Sequence, residues 1–424
     1  MTTICFAGTY PPLMCGIGDY TRFITASMDP GTWAVLSFRL NGGEIPLAGR
    51  RKPAEGPAWY GIPGPGEYSA TDIMEGLRRL GLSREDTVLW FQHEFNNWQG
   101  NHRFVGMLAE LDLPRVVTLH TLRFQSNETA FGLAEREYQL LRDLLPVADA
   151  VTVFSNGVYT AVTEAFPEYR GRVHVLRHGA HQYPAVARLE TREKLHASLL
   201  GGSLVDRAVK EALARERVFL DPDTVILGQT GFLHEIKGSE FIFTARDELQ
   251  ELLAGKRVVA MRIGRPRLPE HQEHVHALRE QHNGRDKFLL ETWLPGPVLP
   301  VALRAFDVNY YWPNDCTQSG MLMHAFGAGG IVAGRELEGV GETLREAGAL
   351  YDSDPQGLVF KIRDLVLTPE MQERVEKQAI DFARKHSWGN QARRHYQLAQ
   401  LLVSPSRPRR GREPLPPPQE AAPL

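Results

Sequence analysis

The sequence predicts an α/β protein built of two Rossmann-like, doubly wound domains that face a central cleft. Three observations lead there. Short apolar, β-branched runs alternate with helical patterns along nearly the whole chain, which is the signature of parallel sheets with crossover helices. The alternation breaks at a charged, helical stretch and then starts again, so there are two series and not one. At 424 residues the chain also exceeds the size of a single ordinary core, about 250 residues.

Each element follows from its pattern. In the first series the expected strands are 4–7, 33–38, 88–92, 116–119, 150–154 and 173–177, with helices at 18–28, 69–80, 99–111, 134–144 and 157–165. In the second, strands are expected at 225–229, 257–263, 287–290, 308–311 and 331–333, with helices at 239–253, 270–282, 298–305 and 320–328. Two further helical patterns occupy 369–382 and 389–402. The expected organisation is an N-terminal Rossmann-like domain over 1–183 and a helical connector over 184–222. A second Rossmann-like domain follows over 223–385, then a helix over 386–403 that returns to the first domain. The Pro/Arg-rich tail 404–424 cannot bury a core and reads as disordered.

Composition narrows the function classes. A net charge of -3 gives no electrostatic reason to expect nucleic acid as a partner. No apolar run reaches the roughly 20 residues that span a bilayer, and the first residues have no basic n-region, so a cytoplasmic protein is expected. Peripheral membrane attachment stays open, because it needs only a basic amphipathic patch. Cys5, Cys15 and Cys316 are too few and too far apart for a disulfide framework or a metal site.

In such sheets ligands bind where the strands end, because the loops there expose backbone N–H groups and helix N-termini. The loop from Thr9 to Tyr20 carries Gly16 and Gly18, which let the backbone pass close to a ligand; it reads equally as a plain βα turn. His120 follows the strand 116–119 and points toward a hydrogen bond with a ligand hydroxyl or a backbone carbonyl. His93 and Glu94 are adjacent on an extended strand end and so face opposite ways, which makes one of them structural. In the second half, Lys237 before Gly238 is a compact cation at a helix start, suited to a diphosphate. Thr317, Gln318 and Ser319 precede Gly320 and Met321 at the start of an apolar helix, which makes a phosphate cradle, with His324 one turn further on. Glu338–Gly339–Val340–Gly341–Glu342 reads as a flexible loop whose Glu342 carboxylate accepts hydrogen bonds from hydroxyls.

Taken together, these segments resemble the group 1 (family 4) retaining glycosyltransferases of the GT-B fold. The similarity runs from about Ile4 to Leu402. It is carried by Tyr10-Pro-Pro with Gly16-Ile-Gly18-Asp-Tyr20, Gln92-His93-Glu94-Phe95, Thr118-Leu-His120-Thr121, Ala148-Asp149-Ala150 with Ser155, and His178-Gly179. It continues through Gly231 with Lys237-Gly238, Gln318-Ser319-Gly320, Gly339-Val-Gly341-Glu342 and His386-Ser387-Trp388. The resemblance implies transfer of a sugar from a nucleotide-sugar donor to a hydroxyl acceptor of unknown identity (saccharide, lipid-linked or small molecule), with retention of anomeric configuration. It implies no metal and no cofactor, the nucleotide-sugar being a substrate. Gly16 and Gly18 would face the donor, His120 the transferred sugar, Lys237 the diphosphate, and the backbone of Ser319–Met321 the phosphate. Trp293 would lie at the nucleobase.

Two departures stand out. The family's Glu-x7-Glu pattern falls on Cys316 and His324, so Asp315 is the candidate to replace the first carboxylate and His324 to bond a ribose hydroxyl. The family's basic residue after the first glycine of the Lys237 loop is Phe232, with Arg262 or Arg265 as candidate replacements. Competing expectations are a nucleotide-sugar epimerase or phosphorylase of the same fold, and a non-catalytic nucleotide-sugar-binding protein.

Overall fold

The computed structural model describes residues 1–40, 56–282 and 284–403. The tail 404–424, which the sequence pattern reads as disordered, and residues 41–55 lie outside the described residues. The chain forms two compact units, Met1–Gly179 together with the segment from Trp388, and Ala180–Ser387.

The first unit holds a seven-stranded parallel sheet. Its strands are β1 (Thr3–Gly8), β2 (Trp33–Phe38), β3 (Ala58–Ile62), β4 (Thr87–His93), β5 (Arg115–Leu119), β6 (Ala150–Val153) and β7 (Val173–Val175), in the order β3-β2-β1-β4-β5-β6-β7. The order reverses between β1 and β4, which is where an open parallel sheet leaves a crevice at its carboxyl edge. β1, β4 and β5 are buried on both faces, so they read as unbroken apolar runs without alternation. The helix Trp388–Val403 packs on β4 and β1 of this sheet and on the helix Gly16–Thr25. Trp388 fills the space a side chain at Gly179 would take, and His395 stacks on Trp90 at 4.6 Å.

The second unit repeats the plan with six parallel strands, β8 (Thr224–Thr230), β9 (Arg257–Gly264), β10 (Lys287–Glu291), β11 (Val308–Tyr311), β12 (Val332–Arg335) and β13 (Leu350–Asp352). Their order is β10-β9-β8-β11-β12-β13, with the reversal between β8 and β11. Two helices, Arg188–Gly201 and Arg207–Glu216, precede β8. Arg192 is buried and donates to the Ala305 carbonyl and the Asp307 carboxylate, which ties the first of these helices to the sheet.

Four elements depart from the sequence reading, one of them the helix Pro355–Leu367, which no expected helix covers. β3 and β13 are edge strands; β3 is half-buried and mixed with glycine and aromatics, and β13 is only three residues long, so neither shows a clear period. The segment read as a flexible loop around Glu338–Glu342 is the helix Glu338–Glu346. Gly339 and Gly341 suggested a loop, yet both are placed by packing: a Cβ on Gly339 would stand 2.6 Å from the Thr317 carbonyl, and one on Gly341 3.2 Å from Glu336. Tertiary contact overrides helix propensity here.

Among the described residues no helix is long and apolar enough to cross a membrane, and no group of three His, Cys, Asp or Glu is placed to hold a metal ion.

Candidate functional site

The carboxyl edge of the second sheet is built around one buried arginine. β8 ends at Thr230, and the chain turns at Gly231 with φ +121°, in the range that favours glycine. Arg262 points inward from β9 and donates to the Ser239 hydroxyl at 2.9 Å. It also donates to the carbonyls of Ile263 at 2.9 Å, Gly231 at 3.1 Å, Gln229 at 3.3 Å and Phe232 at 2.6 Å. Burial pushes its pKa down to about 9. Arg262 is therefore the scaffold of this loop and does not replace the cation missing at Phe232. A sequence cannot show which way a strand residue points when both faces of the strand are buried. Arg265 is exposed beyond the strand end.

The loop ends in a single 3-10 turn, Glu235–Lys237. Lys237 is half-buried, and its ammonium forms no ion pair among the described residues. Gln229 holds the Lys237 carbonyl at 2.9 Å. Gly238 follows with φ +56°, and a Cβ there would lie 2.0 Å from the Trp312 carbonyl. Only glycine meets both demands. This close approach brings in the segment after β11: Asn314 donates its backbone N–H to Ile236 O and its amide to Glu235 O, both at 3.0 Å. Asp315 is exposed next to it.

The helix Gly320–Gly327 starts behind this segment. Ser319 stands at the N-cap position in extended conformation but makes no capping bond. Its hydroxyl is engaged with Tyr311, which also contacts the Cys316 thiol at 3.3 Å. Cys316 in turn donates to the Gln318 carbonyl at 2.9 Å. The first N–H groups of the helix consequently lack a side-chain cap, and Met321 lies against Gly231. Lys237, Asp315, Thr317, Gln318, Ser319, Gly320 and Met321 thus come from two adjoining loops at one sheet edge. His324 lies one turn along; its Nδ1 is 2.6 Å from the Tyr183 hydroxyl and its ring stacks on His181 at 4.0 Å. Trp293 follows β10, and its ring packs on Phe232 at 5.0 Å. Glu342 sits on the helix Glu338–Glu346, half-buried, and not on a loop.

In the first unit, Gly16 opens the helix Gly16–Thr25 with no atom within 4 Å of where a Cβ would be, while Gly18 is fitted against Thr9 at 3.3 Å. Cys15 at the N-cap makes no capping bond, so this helix start also exposes its N–H groups. His120, just past β5, has Nε2 2.7 Å from the Gln92 amide oxygen on β4. Its ring meets the edge of Tyr20 at 5.1 Å and Phe154 at 5.2 Å. Burial, reinforced by His178 and His93, pushes its pKa down to about 3, so it serves as a neutral hydrogen-bonding group at pH 7. His93 is the structural member of its pair. It is buried against Phe104 at 4.7 Å and pushed down to about 3 by burial, while Glu94 bonds Thr121 and the Phe95 N–H.

No family model and no curated protein matches the sequence. Solved structures do. The Anabaena protein HepE, in complex with UDP-glucose, is 13% identical, with 95% of this chain and 100% of that one covered at TM-score 0.64. The trehalose-6-phosphate synthase OtsA is 12% identical over 94% of this chain and 99% of its own, at TM-score 0.65. A UDP-forming trehalose-phosphate synthase from Burkholderia xenovorans, in complex with glucose-6-phosphate, is 13% identical over 94% and 100%, at TM-score 0.64. The fold is GT-B.

Within the GT-B frame, three residues that the sequence marked only as parts of quoted segments, without a role of their own, join the candidate sites. Tyr20 is in edge contact with His120 and His178, and its hydroxyl is 3.3 Å from His395 Nε2. His178 holds the Gly179 carbonyl through Nδ1 at 2.9 Å. Glu338 is buried with φ +48°, a conformation that costs a non-glycine residue about 1–3 kcal/mol. The sequence gives them no role because their partners, such as His120 and His395 for Tyr20, are brought close only by the fold.

Proposed function

We propose that this chain is a glycosyltransferase that moves a hexose from a UDP-sugar to a hydroxyl acceptor with retention of configuration, without a metal or cofactor. The observation that carries the reading is the pairing of the Lys237 ammonium, without an ion pair among the described residues, with the uncapped helix start at Gly320. Both lie at the carboxyl edge of β8 and β11, joined by Met321 against Gly231. An ammonium and a set of N–H groups converging on one place suit a diphosphate. UDP is the nucleotide to try first, because HepE is in complex with UDP-glucose. A sugar phosphate is the first acceptor to try, because the Burkholderia enzyme is in complex with glucose-6-phosphate.

In this reading the bond from the anomeric carbon to the diphosphate oxygen breaks, and the electron pair leaves with UDP. Lys237 and the amides of Ser319–Met321 stabilise the charge that develops, each such donor being worth about 3 kcal/mol. The acceptor hydroxyl attacks from the face the diphosphate leaves, and its proton passes to a phosphate oxygen of UDP. Neutral His120 holds the transferred sugar by a hydrogen bond, Gly16 and Gly18 leave room for it, and Trp293 stacks on the base. Asp315, His324 and Glu342 take up donor hydroxyls, with Thr317 and Gln318 shaping the loop. Lys237→Met should lower the turnover of UDP-glucose with glucose-6-phosphate, read as UDP release, by about a hundredfold. Unchanged turnover would remove Lys237 from the mechanism.

A second reading has a specific observation behind it. The Cys316 thiol is bonded back into its own loop and offers no carboxylate where the family has one. A non-catalytic binding protein would bind UDP-glucose in calorimetry yet release no UDP with any acceptor.

A further inference from the structure

We propose that His234 is the positioning residue for Lys237, and that it acts only as a neutral imidazole held against His271. The inference rests on the reading of Lys237 as the diphosphate ligand and adds how that ligand is set and when it is lost. His234 Nδ1 accepts the Ile236 backbone N–H at 3.1 Å, and the His234 carbonyl accepts the Lys237 N–H at 2.9 Å. One residue therefore closes the turn at two successive amides. Opposite it, His271 Nδ1 accepts the Leu268 N–H at 3.2 Å, and the two rings meet edge to face at 4.1 Å. A backbone N–H can only donate, so both Nδ1 atoms are bare and each neutral ring carries its proton on Nε2. The tautomer thus follows from the backbone alone.

Leu233 fastens the two segments together by donating to the Arg265 carbonyl at 2.8 Å, beside a parallel bridge to Pro266. A proton on His234 Nδ1 would turn the acceptor into a donor aimed at the Ile236 N–H. It would also place a second cation beside Lys237. The charges facing His234 are Glu235 and Lys237 on its own turn and Arg267 and His271 across from it. Behind His271 stands His274, which faces Glu240, Glu235 and Arg262. Of those facing His234 only Glu235 favours the protonated ring, and burial opposes it further. The turn that aims Lys237 is consequently intact above the histidine range and opens below it.

The test is calorimetric titration of UDP-glucose, whose doubly esterified diphosphate does not itself titrate in this range, between about pH 8 and pH 5. Wild-type affinity should fall about tenfold on acidification, more than surface screening accounts for. His234→Asn keeps a short side-chain acceptor for the same amide but does not titrate, so its affinity should stay flat. His234→Ala should bind weakly at every pH. An Asn variant that titrates like wild type, or an Ala variant that binds like wild type at pH 8, overturns the proposal. A wild-type protein that binds no UDP-glucose at pH 8 refutes the donor reading and not the turn. The turn is read separately, from the nitrogen-15 shift of His234 Nδ1 and exchange of the Ile236 amide. A protonated Nδ1 at pH 8, or exchange that His234→Ala leaves unchanged, sinks the positioning role.

Discussion

Replacing Gly238 with alanine should damage the second unit far more than replacing another left-handed glycine. At φ +56° an alanine costs about 1–2 kcal/mol relative to a right-handed position. The new Cβ would stand 2.0 Å from the Trp312 carbonyl, a backbone atom that cannot swing aside. The segment after β11 must then retreat, which breaks the two bonds from Asn314 to Ile236 and Glu235. At about 1 kcal/mol for each bond, the total loss is about 3–4 kcal/mol. Gly255 supplies the control, because its φ is +85° and a Cβ there meets nothing within 4 Å. Gly255→Ala should therefore lose only the conformational part, about 1–2 kcal/mol. In thermal melts of a unit this size, each kcal/mol shifts the midpoint by about 2–4 °C, so the two variants should differ by roughly 4–8 °C. Gly238→Ala should also weaken UDP-glucose binding, since Lys237 moves with the turn. Equal melting temperatures for the two variants would mean that the approach to Trp312 is not a constraint, and the account of the loop would fail with it.

Other perturbations have equally definite outcomes. Phe232→Arg, which returns a cation to the Lys237 loop at the expense of the contact with Trp293, should make UDP-glucose binding more salt-dependent, as calorimetry at two ionic strengths would reveal. Arg262→Met should lower the urea midpoint of the second unit by the equivalent of about 3 kcal/mol or more, because several loop carbonyls lose their donor together; a neutral result would deny it the scaffold role. Acid should destabilise the first unit. His93 and His395 are buried, with pKa values pushed from 6.5 to about 3 and about 4. Because folding lowers these values, the stability they contribute is complete above pH 6.5 and is lost as pH falls from there toward the folded values, at about 1.4 kcal/mol per pH unit for each ring. Urea unfolding at pH 6.5 and 5.0 measures that slope, and a flat profile would show that the rings are not buried neutral. Tyr20→Phe should cost about 1 kcal/mol through the lost bond to His395, again by urea unfolding.

The central strands were legible because β1, β4, β5, β8 and β9 are continuous apolar runs, and the helices between them carry clear periods. Of the four edge strands, β7 and β10 were legible as short apolar runs, whereas β3, mixed with glycine and aromatics, and β13, three residues long, were not. The loop glycines marked where the backbone turns sharply or packs closely, and Gly238 gives the reason in full: a left-handed turn against another backbone. What the sequence could not convey was direction. Arg262 looks like a free cation beside a phosphate loop, yet its guanidinium turns inward and is used up by carbonyls. The helix Glu338–Glu346 shows the opposite failure, in which two glycines that suggest flexibility are required by close packing on Thr317 and Glu336. His234 carried no signal of its own, because its role depends on where the Ile236 and Leu268 amides point.

The first unit is discontinuous in sequence, completed by a helix that begins at Trp388. On the ribosome, this has a temporal consequence. The face of the sheet that bears Trp90, and the side of Tyr20 that meets His395, stay uncovered until all of Ala180–Ser387 has been synthesised. At bacterial and eukaryotic elongation rates that interval is on the order of 10–40 s, long compared with the folding of the second unit by itself. Nascent chains should therefore engage holdase chaperones at that apolar face, and a stalled or truncated product ending before Trp388 should be a substrate for quality control while its second unit is already folded.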